Sequence, residues 1–440
     1  MKYILPMFGA IGATALFAFS ATGIMAGAVE RPSHQQTFRQ LELFADVLSR
    51  VRNEYVEEVE DTDLIDEALN GMLHSLDPHS SYMNPDDFRE MQSGSRGEYG
   101  GLGMEVTMEN DLVKVVTPMD DTPAFRAGIK AGDFLTAIDG DSILGMTLSE
   151  AVDQMRGEAG KPITVTVVRE GEDEPLEITM VREIITQRIV RHRVEDGMGY
   201  IRISGFNETT GESLEDAIKA LKKEMGGKIP GLVVDLRNNP GGLLDQSVRV
   251  SSVFLDGGEV VSTRSRDPKD TQRYNAKGGE LLSGVPVVVL INGASASAAE
   301  IVAGALQDRG RGLIVGTTSF GKGSVQSVIP LNGGRDGALR LTTARYYTPA
   351  GRSIQGTGVD PDIFVSYAPD DGKERKRFGE KDLPNALDIT DEDEDEAETA
   401  EIEIDYPPED WDVKDDWQMK KAIEFLKSPN FDTLLMASAQ

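Results

Sequence analysis

The sequence predicts an α/β fold in which a small β-rich module interrupts a larger layered core. Residues 184–368 alternate apolar strands such as "GLVVDL" and "VPVVVL" with helical segments, a pattern typical of a buried sheet covered by helices. Residues 100–182 contain short alternating strands and glycine-rich turns. Residues 36–95 repeat apolar side chains at helical spacing and predict an N-terminal helical region.

The composition narrows the classes of function. The 440 residues suffice for roughly two to four domains. A net charge of -30 argues against nucleic-acid binding, because phosphate contacts require clustered Lys and Arg. The chain has no cysteine, which excludes disulfides, thiolate metal ligands and a cysteine nucleophile. Its four histidines are scattered, so we expect them to be structural or exposed, and we expect no metal site.

The first 28 residues carry a targeting signal. After Lys2 no charged residue occurs before Glu30, and the segment between them is apolar and rich in small residues. The positive start, the apolar middle and the Ala26-Gly27-Ala28 pattern predict an export signal cleaved after Ala28. The stretch also has the roughly 20 residues that an uncleaved membrane anchor needs. In both cases we expect the remainder to be exported to the periplasm or another extracytoplasmic space.

The helical region begins with a narrow apolar stripe. Its members are Leu41, Phe44, Leu48, Val51 and Tyr55. Such a stripe predicts either a helix that faces the core or an oligomer contact, and it favours a homodimer or higher homo-oligomer. The following "DPHSSYMNPDDF" is predicted to be a loop, because Pro and Ser-Ser break the helical pattern.

The β-rich module contains a candidate peptide-binding loop. The turn "GGLGMEV" runs from Gly100 and includes Gly101, Leu102, Gly103 and Met104. It resembles the carboxylate-binding loop of PDZ domains, in which successive amides hold a terminal carboxylate and the peptide adds as a strand. Behind it, Thr147 and Glu150 predict a capping box for the helix in "TLSEAVDQMRG".

Residues 369–440 differ in composition from the rest. Of the twenty residues from 391 to 410, twelve are Asp or Glu and none is basic. Such a run predicts an acidic, largely disordered extension. Whether Trp411, Trp417 and the last helical pattern dock on the core is left open by the sequence.

Two residues of the core are candidates for nucleophilic chemistry. Ser297 and Glu300 fit a helix capping box, yet a hydroxyl at a helix N-terminus after a buried strand also suits a nucleophile. Lys322, between two glycines, is the candidate base if burial lowers its pKa.

The loop that carries Lys322 also contains most of a phosphate-binding motif, but Gly323 replaces the required Ser or Thr and a strand pattern follows. We therefore reject nucleotide binding.

A Gly-Gly turn after another buried strand supplies candidate oxyanion donors. In "DLRNNPGG", the turn is either an ordinary loop or a site where the amide of Gly241 or Gly242 holds an oxyanion together with the amide of Ala298.

These segments together resemble the carboxy-terminal processing peptidases, also called tail-specific proteases. The similarity covers residues 36–365 and includes "LDPHSSYMNP", the PDZ module, "DLRNNPGG", "SASAAEI", "GTTSFGKGSVQ" and "YYTPAGRSIQGTGVDPD" in family order. The resemblance implies a crotonase-like α/β peptidase core, with residues 36–95 packing on it. It also implies a serine endopeptidase with a Ser-Lys dyad, whose PDZ domain recognises the C-terminal end of its substrates.

The resemblance assigns roles residue by residue. Ser297 matches the nucleophile, Lys322 the base and Gln326 the glutamine that supports the lysine, whereas Ser295 only lines the approach. Ala299 replaces a third serine of the family motif, at a position that is not the nucleophile. Arg156 resembles a PDZ arginine that aligns the active site in some relatives.

The implied reaction requires no metal and no cofactor. The expected partners are protein substrates with free, apolar C-termini, and the resemblance leaves open an activating adaptor protein and membrane association through the N-terminal segment. The alternative function is an exported PDZ adaptor with a degenerate hydrolase core. Intact Ser297, Lys322 and Gln326 argue against it, since a pseudoenzyme is free to lose them.

Overall fold

The computed structural model describes residues 34–109, 112–172, 174–370, 377–389, 404–408, 410–412 and 415–438. The expected export signal and most of the acidic run lie outside these ranges. Within them, every helix falls short of the length or the apolar character that a membrane crossing requires. The chain divides into two compact units between Ile65 and Asp66.

The first unit contains the apolar helix that the sequence predicts. Helix α1 spans His34–Glu54, and α2 (Asp61–His74) begins in this unit and continues into the second. On α1 and just after it, Leu41 and Tyr55 of the stripe are 58% and 57% exposed. Leu48 and Val51 of the same stripe are half-buried, so the core-facing helix and the oligomer contact both stay predictions.

After α2, the second unit continues with a short strand and a capped helix. Strand β1 covers Ser81–Met83, α3 covers Pro85–Arg96 and β2 covers Glu98–Gly101. The Asn84 side chain accepts hydrogen bonds from two first-turn amides of α3, which explains why the helix begins there. The prediction of a loop over residues 77–88 is therefore wrong in part. The missed strand is held by antiparallel pairing with β18 (Ala338–Tyr347), a contact that no local pattern reveals.

The β-rich module forms a separate sheet. In chain order it consists of β3 (Met104–Glu109), β4 (Leu112–Pro118), α4 (Pro123–Arg126), β5 (Phe134–Ile138), β6 (Asp141–Ser142), α5 (Leu148–Met155), β7 (Pro162–Val168) and β8 (Leu176–Val181). The strand order is β3-β4-β5-β7-β8, with β6 paired to β5. The predicted capping box of α5 is confirmed, since Thr147 and Glu150 bond reciprocally. Strand β9 (Glu183–Thr186) pairs with β2 and leads the chain back to the core.

The core is built on a seven-stranded sheet. Its elements up to residue 316 are β10 (Val190–Glu195), β11 (Met198–Ile203), α6 (Thr210–Glu224), β12 (Leu232–Asp235), α7 (Leu244–Phe254), β13 (Glu259–Ser265), β14 (Gln272–Asn275), β15 (Val287–Ile291), α8 (Ala298–Asp308) and β16 (Leu313–Gly316). The remaining elements are β17 (Ser324–Pro330), β18, β19 (Ile363–Val365), β20 (Ile404–Asp405), α9 (Trp417–Lys427) and α10 (Phe431–Ser438). The order is β10-β11-β12-β15-β16-β19-β20, and every pair except β10-β11 is parallel.

Helices cover both faces of this sheet. One face packs against α6, α7 and α8 in the largest apolar cluster, and the other packs against α9 and α10. Burial on both faces explains why the central strands are continuously apolar. A second, antiparallel sheet joins β1, β13, β14, β17 and β18 beside it. The predicted α/β class with a PDZ-like module and an N-terminal helical region is confirmed.

The C-terminal extension is more ordered than its composition predicts. Trp417 and Met419 of α9 are buried in the same cluster as central-sheet residues, and residues 404–405 add strand β20 to the sheet edge. The expectation of a largely disordered extension is therefore wrong for the described residues 415–438. The reason is that α9 carries an apolar face that covers an otherwise bare side of the sheet.

Candidate active site

The chain reverses sharply at Ser297, directly before α8. Ser297 is the N-cap of the helix and has φ 54° and ψ -115°, a conformation that non-glycine residues rarely adopt. Ser297 is 9% exposed to solvent. Such a strained turn persists only where the surroundings hold it in place, and strain of this kind is typical of functional positions.

Two backbone amides near Ser297 are free to bind an anion. The amides of Gly242 and Ala298 make no hydrogen bond to any residue that the structure describes. By contrast, the Gly241 amide donates to Oδ1 of Asn239 at 2.9 Å, so the fold already uses this predicted oxyanion donor. Ala298 is the first residue of α8, where the helix leaves its N–H groups unpaired and its dipole favours negative charge.

Gly241 nevertheless lies against residues 296–298, which we call the nucleophile turn after the predicted role of Ser297. A Cβ at this position would come within 2.8 Å of the Ala296 carbonyl oxygen and 2.8 Å of the Ser297 Cβ. Its φ of 99° also favours glycine. Glycine is therefore required here so that the two turns can approach each other.

The other predicted serine has a structural role. Ser295 is fully buried, and its hydroxyl donates to the Leu236 carbonyl at 2.8 Å and accepts from the Asn292 amide at 2.9 Å. It therefore ties the nucleophile turn to the ends of two central strands. Its hydroxyl is not available for chemistry.

Glu300 links the nucleophile turn to the loop that carries Lys322. Its buried carboxylate accepts from the Ser297 amide at 2.7 Å, the Lys322 amide at 2.9 Å, the Gly321 amide at 2.6 Å and the Ser319 hydroxyl at 2.5 Å. The sequence predicts only its bond to Ser297. Burial raises the pKa of Glu300 to about 7, although these four donors oppose the shift.

Lys322 has the electrostatic surroundings that a base requires. Burial lowers the pKa of its amine, because the charged form loses hydration. Nearby charges modify this effect: Glu380, Glu300 and Asp77 favour the protonated amine, whereas Arg340 disfavours it. Burial is the larger influence, so the neutral amine is more accessible than in an exposed lysine.

The two candidate groups are not bonded to each other in this structure. Neither Oγ of Ser297 nor Nζ of Lys322 makes a hydrogen bond to a described residue. Catalytic hydrogen bonds are often long in ligand-free enzymes and tighten when substrate binds. What the fold does bring together are the two backbones, because both amides contact one oxygen of Glu300.

Gln326 lies on β17 and makes its side-chain hydrogen bonds to residues other than Lys322. Its side-chain amide donates to the hydroxyls of Ser324 at 2.9 Å and Thr342 at 3.2 Å. Thr342 in turn donates to the buried carboxylate of Asp77 at 3.0 Å. The sequence did not identify Thr342 or Asp77, although "LDPHSSYMNP" was among the segments that carried the family resemblance.

The predicted peptide-binding loop lies at the outer strand of the PDZ-like sheet. Gly101 ends β2 and Met104 begins β3, which pairs only with β4 among the described strands. The amides of Leu102 and Gly103 make no hydrogen bond to a described residue, while their carbonyls bond within the module. A free strand edge next to two free amides suits an added peptide strand with a terminal carboxylate.

Arg156 contacts the strand that leads into the β-rich module. It follows α5, and its guanidinium carbon is 5.2 Å from the centre of the Tyr99 ring. Tyr99 belongs to β2, the strand that connects α3 to the module. No group of three His, Asp or Glu side chains in the described ranges is arranged to bind a metal ion.

Comparisons with known proteins agree with this architecture. Residues 197–365 match the model of peptidase family S41, residues 100–180 match a PDZ domain, and residues 12–87 match the N-terminal domain of the activating protease CtpB. These matches define the class of the protein as a PDZ-containing serine peptidase.

A curated relative that is 55% identical shows the family. The chain is 55% identical to a carboxy-terminal-processing protease of Bartonella bacilliformis over 80% of both chains. It is 34% identical to a probable CtpA-like serine protease of Staphylococcus aureus, over 72% of this chain and 62% of that protein. A photosystem II D1 C-terminal processing protease of known structure is 32% identical over 74% of this chain and 92% of that chain, with a TM-score of 0.44. The chain belongs to peptidase family S41, among the carboxy-terminal-processing proteases, and is not a degenerate adaptor.

Proposed function

We propose that Ser297 and Lys322 form the catalytic dyad of this protease. The observation that carries the proposal is their shared acceptor, since both backbone amides donate to Oε2 of Glu300. The strained turn places Ser297 at the N-terminus of α8, next to the amide of Ala298, which makes no hydrogen bond to a described residue. The half-buried amine of Lys322, with its lowered pKa, supplies the neutral base that a serine nucleophile needs.

The reaction follows from these positions. Neutral Lys322 takes the proton from Ser297 while Oγ attacks the scissile carbonyl carbon. The amides of Gly242 and Ala298 stabilise the resulting oxyanion. Protonated Lys322 then gives its proton to the leaving amine, and the peptide bond breaks. In the second half, Lys322 deprotonates a water molecule that hydrolyses the acyl-enzyme and restores the serine.

Gln326 and Gly241 support this reaction indirectly. Gln326 is proposed to orient Lys322 when substrate binds, starting from its present bonds to Ser324 and Thr342. Gly241 allows the oxyanion turn to approach Ser297 rather than supplying a donor itself.

The substrate's C-terminus is proposed to bind the PDZ module. The free amides of Leu102 and Gly103, flanked by Gly101 and Met104, would hold the terminal carboxylate. The last residues of the substrate would extend the sheet at β3, with an apolar terminal side chain against the module's core. Arg156, through its contact with Tyr99, is the proposed route from this module to the core.

Location and assembly are proposed from the remaining features. Residues 1–28 would export the chain to the periplasm or an equivalent space, as a cleaved signal or as a membrane anchor. The exposed stripe on α1 would join two copies as a homodimer or within a larger homo-oligomer. An activating adaptor protein remains part of this proposal, given the match to the CtpB N-terminal domain.

Cleavage of an unstructured protein with an apolar free C-terminus tests the dyad. We expect Ser297→Ala and Lys322→Ala to lower kcat by about a thousandfold or more. The exposed Ser283→Ala and Lys277→Ala are matched controls that should cut like wild type. If either dyad variant retains wild-type activity, the dyad assignment is wrong.

The same substrate tests carboxylate capture. Amidation of its C-terminus should raise KM, because the amide cannot replace the carboxylate on the free backbone donors. An amidated substrate that is cut as efficiently as the free acid would rule out capture by the 101–104 loop.

A further inference from the structure

A segment beyond the matched peptidase region lies on the loop that carries Lys322. Residues 377–382, which we call the strap, follow the residues that match the family model, which end at 365. The Arg377 guanidinium donates to the carbonyls of Ser319 and Thr357. The Glu380 amide donates to the Phe320 carbonyl at 3.0 Å. The strap is therefore bonded at two points to the three residues that precede Lys322.

The strap also places a carboxylate inside the protein. Glu380 is fully buried, and its two carboxylate oxygens lie 2.8 and 2.9 Å from Nε2 of His79. Gln355 donates to the same carboxylate at 3.3 Å and accepts from the Gly323 amide at 3.1 Å. A chain of hydrogen bonds thus runs from Glu380 to the residue directly after Lys322.

His79 connects the Glu380 carboxylate to a second buried carboxylate, that of Asp77. Its amide donates to Oδ1 of Asp77 at 2.9 Å, and Asp77 accepts from Thr342, the partner of Gln326. The loop around Lys322 is therefore enclosed by polar contacts from three distant parts of the chain. Pairing with His79 and Gln355 offsets the cost of burying the Glu380 carboxylate beside this loop.

Charge at Glu380 acts on Lys322. The carboxylate of Glu380 favours the protonated form of the amine. Glu300 and Asp77 act in the same direction and Arg340 acts in the opposite one. The strap therefore holds the loop that carries Lys322 by hydrogen bonds and also places a negative charge that favours protonated Lys322.

We propose that Glu380, held by His79, is a positioning residue that fixes the Lys322 loop and sets the charge beside the lysine. This inference rests on the proposed role of Lys322 as the base. It assigns the strap a function in catalysis rather than in stability alone. The substrate class and the dyad are unchanged by it.

Three variants separate charge from position. Glu380→Gln removes the charge and keeps the shape, so the acid limb of the kcat/KM profile should move to lower pH by about one unit. Glu380→Asp keeps the charge but shortens the side chain, so kcat should fall about tenfold with the acid limb in place. Arg340→Gln removes the opposing charge, so its acid limb should move to higher pH. Lys381→Gln, an exposed change on the same strap, is the control and should match wild type.

A second measurement does not depend on peptidase activity. The rate at which acetic anhydride acylates Lys322, followed by mass spectrometry across pH, reports the fraction of neutral amine in the full-length protein. Glu380→Gln should shift this profile to lower pH by the same amount as the activity profile. If Glu380→Gln does not fold, the fall in kcat of Glu380→Asp still decides the positional part.

The outcomes distinguish this inference from the proposed dyad. If Glu380→Gln leaves the acylation profile of Lys322 unchanged or moves it to higher pH, the inference is wrong. It is also wrong if Glu380→Asp keeps the wild-type kcat. If Lys322→Ala cuts normally while Glu380→Gln shifts the acylation profile, the dyad fails but the strap's effect on the lysine stands.

Discussion

The two sides of the site are held in different ways. On the nucleophile side, Ser297 is fixed by its own strained turn, by the adjacent helix and by a close contact with Gly241. On the base side, Lys322 lies in a glycine-flanked loop that is held by Glu300 and, through Gly323, by Gln355. The first arrangement is a matter of backbone geometry, and the second depends on buried polar side chains. We therefore expect the nucleophile side to respond to steric changes and the base side to charge and pH.

Apart from loss of the dyad itself, the largest effect should follow a steric change on the nucleophile side. In Gly241→Ala the new Cβ would meet the Ala296 carbonyl and Ser297 at 2.8 Å, so the oxyanion turn must move away. Loss of oxyanion stabilisation costs about 10²–10³-fold in kcat. Steady-state kinetics, with circular dichroism to confirm folding, measures this.

Gly279→Ala is the matched control. Gly279 also has a positive φ, 86°, but nothing lies within 4 Å of its Cβ position. Backbone strain is thus similar in the two variants, and only the contact differs. Equal losses of kcat in both would show that strain, not the approach to Ser297, accounts for the effect.

A smaller effect should follow a change at Glu300, whose carboxylate links the turn at Ser297 to the loop that carries Lys322. In Glu300→Gln the amide nitrogen faces backbone N–H donors that need an acceptor. Each donor left unpaired costs about 1–3 kcal/mol of stability. We expect kcat to fall between about tenfold and a hundredfold, since small displacements of both reacting groups suffice for this.

In Glu300→Gln, the thermal unfolding temperature and kcat should both fall. The exposed Glu224→Gln provides the control, because it makes the same chemical change on the surface of α6. A Glu300→Gln protein with lowered stability and full activity would mean that the link stabilises the fold without aligning the dyad.

The dependence of kcat/KM on pH should report the protonation state of Lys322. Lys322 acts as a base only when neutral, so kcat/KM should rise with pH through its lowered pKa and reach a plateau above it. Below that pKa the rate should fall about tenfold per pH unit. Protonation of Glu300, with its pKa of about 7, adds to the loss at acid pH because it removes an acceptor. A flat profile from about pH 5 to 9 in a folded enzyme would contradict a lysine base.

The same contrast explains what the sequence could predict. The nucleophile side is local: a buried strand, two serines and a capping glutamate stand within about ten residues, and their pattern has a direct physical meaning. The central sheet and the β-rich module are likewise predicted by periodicity. These parts of the fold are confirmed.

The base side could not be predicted because its contacts join distant segments. His79 and Glu380 are 301 residues apart in the chain, and neither lies in a pattern that predicts the other. Glu380 also lies just before the acidic run, where composition predicts a solvated carboxylate rather than a buried one. The missed order of α9 has the same cause, since the sheet face it covers is formed by strands far from it in sequence.

The smallest effect on activity should follow a change on the far face of the central sheet. Met419 of α9 is 5% exposed and packs in the cluster on the side opposite α8. Met419→Ala should lower the free energy of unfolding by about 2–5 kcal/mol through the cavity it leaves. In the folded protein kcat/KM should remain at the wild-type value, because the strands lie between this cluster and Ser297.

Met436→Ala is its control, since Met436 is 69% exposed on α10 and should affect neither quantity. Urea denaturation and kinetics at a temperature where both variants stay folded give the comparison. If Met419→Ala lowers kcat/KM in the folded protein, packing on the far face reaches the nucleophile through the sheet. The geometry of Ser297 would then depend on long-range contacts as much as that of Lys322 does.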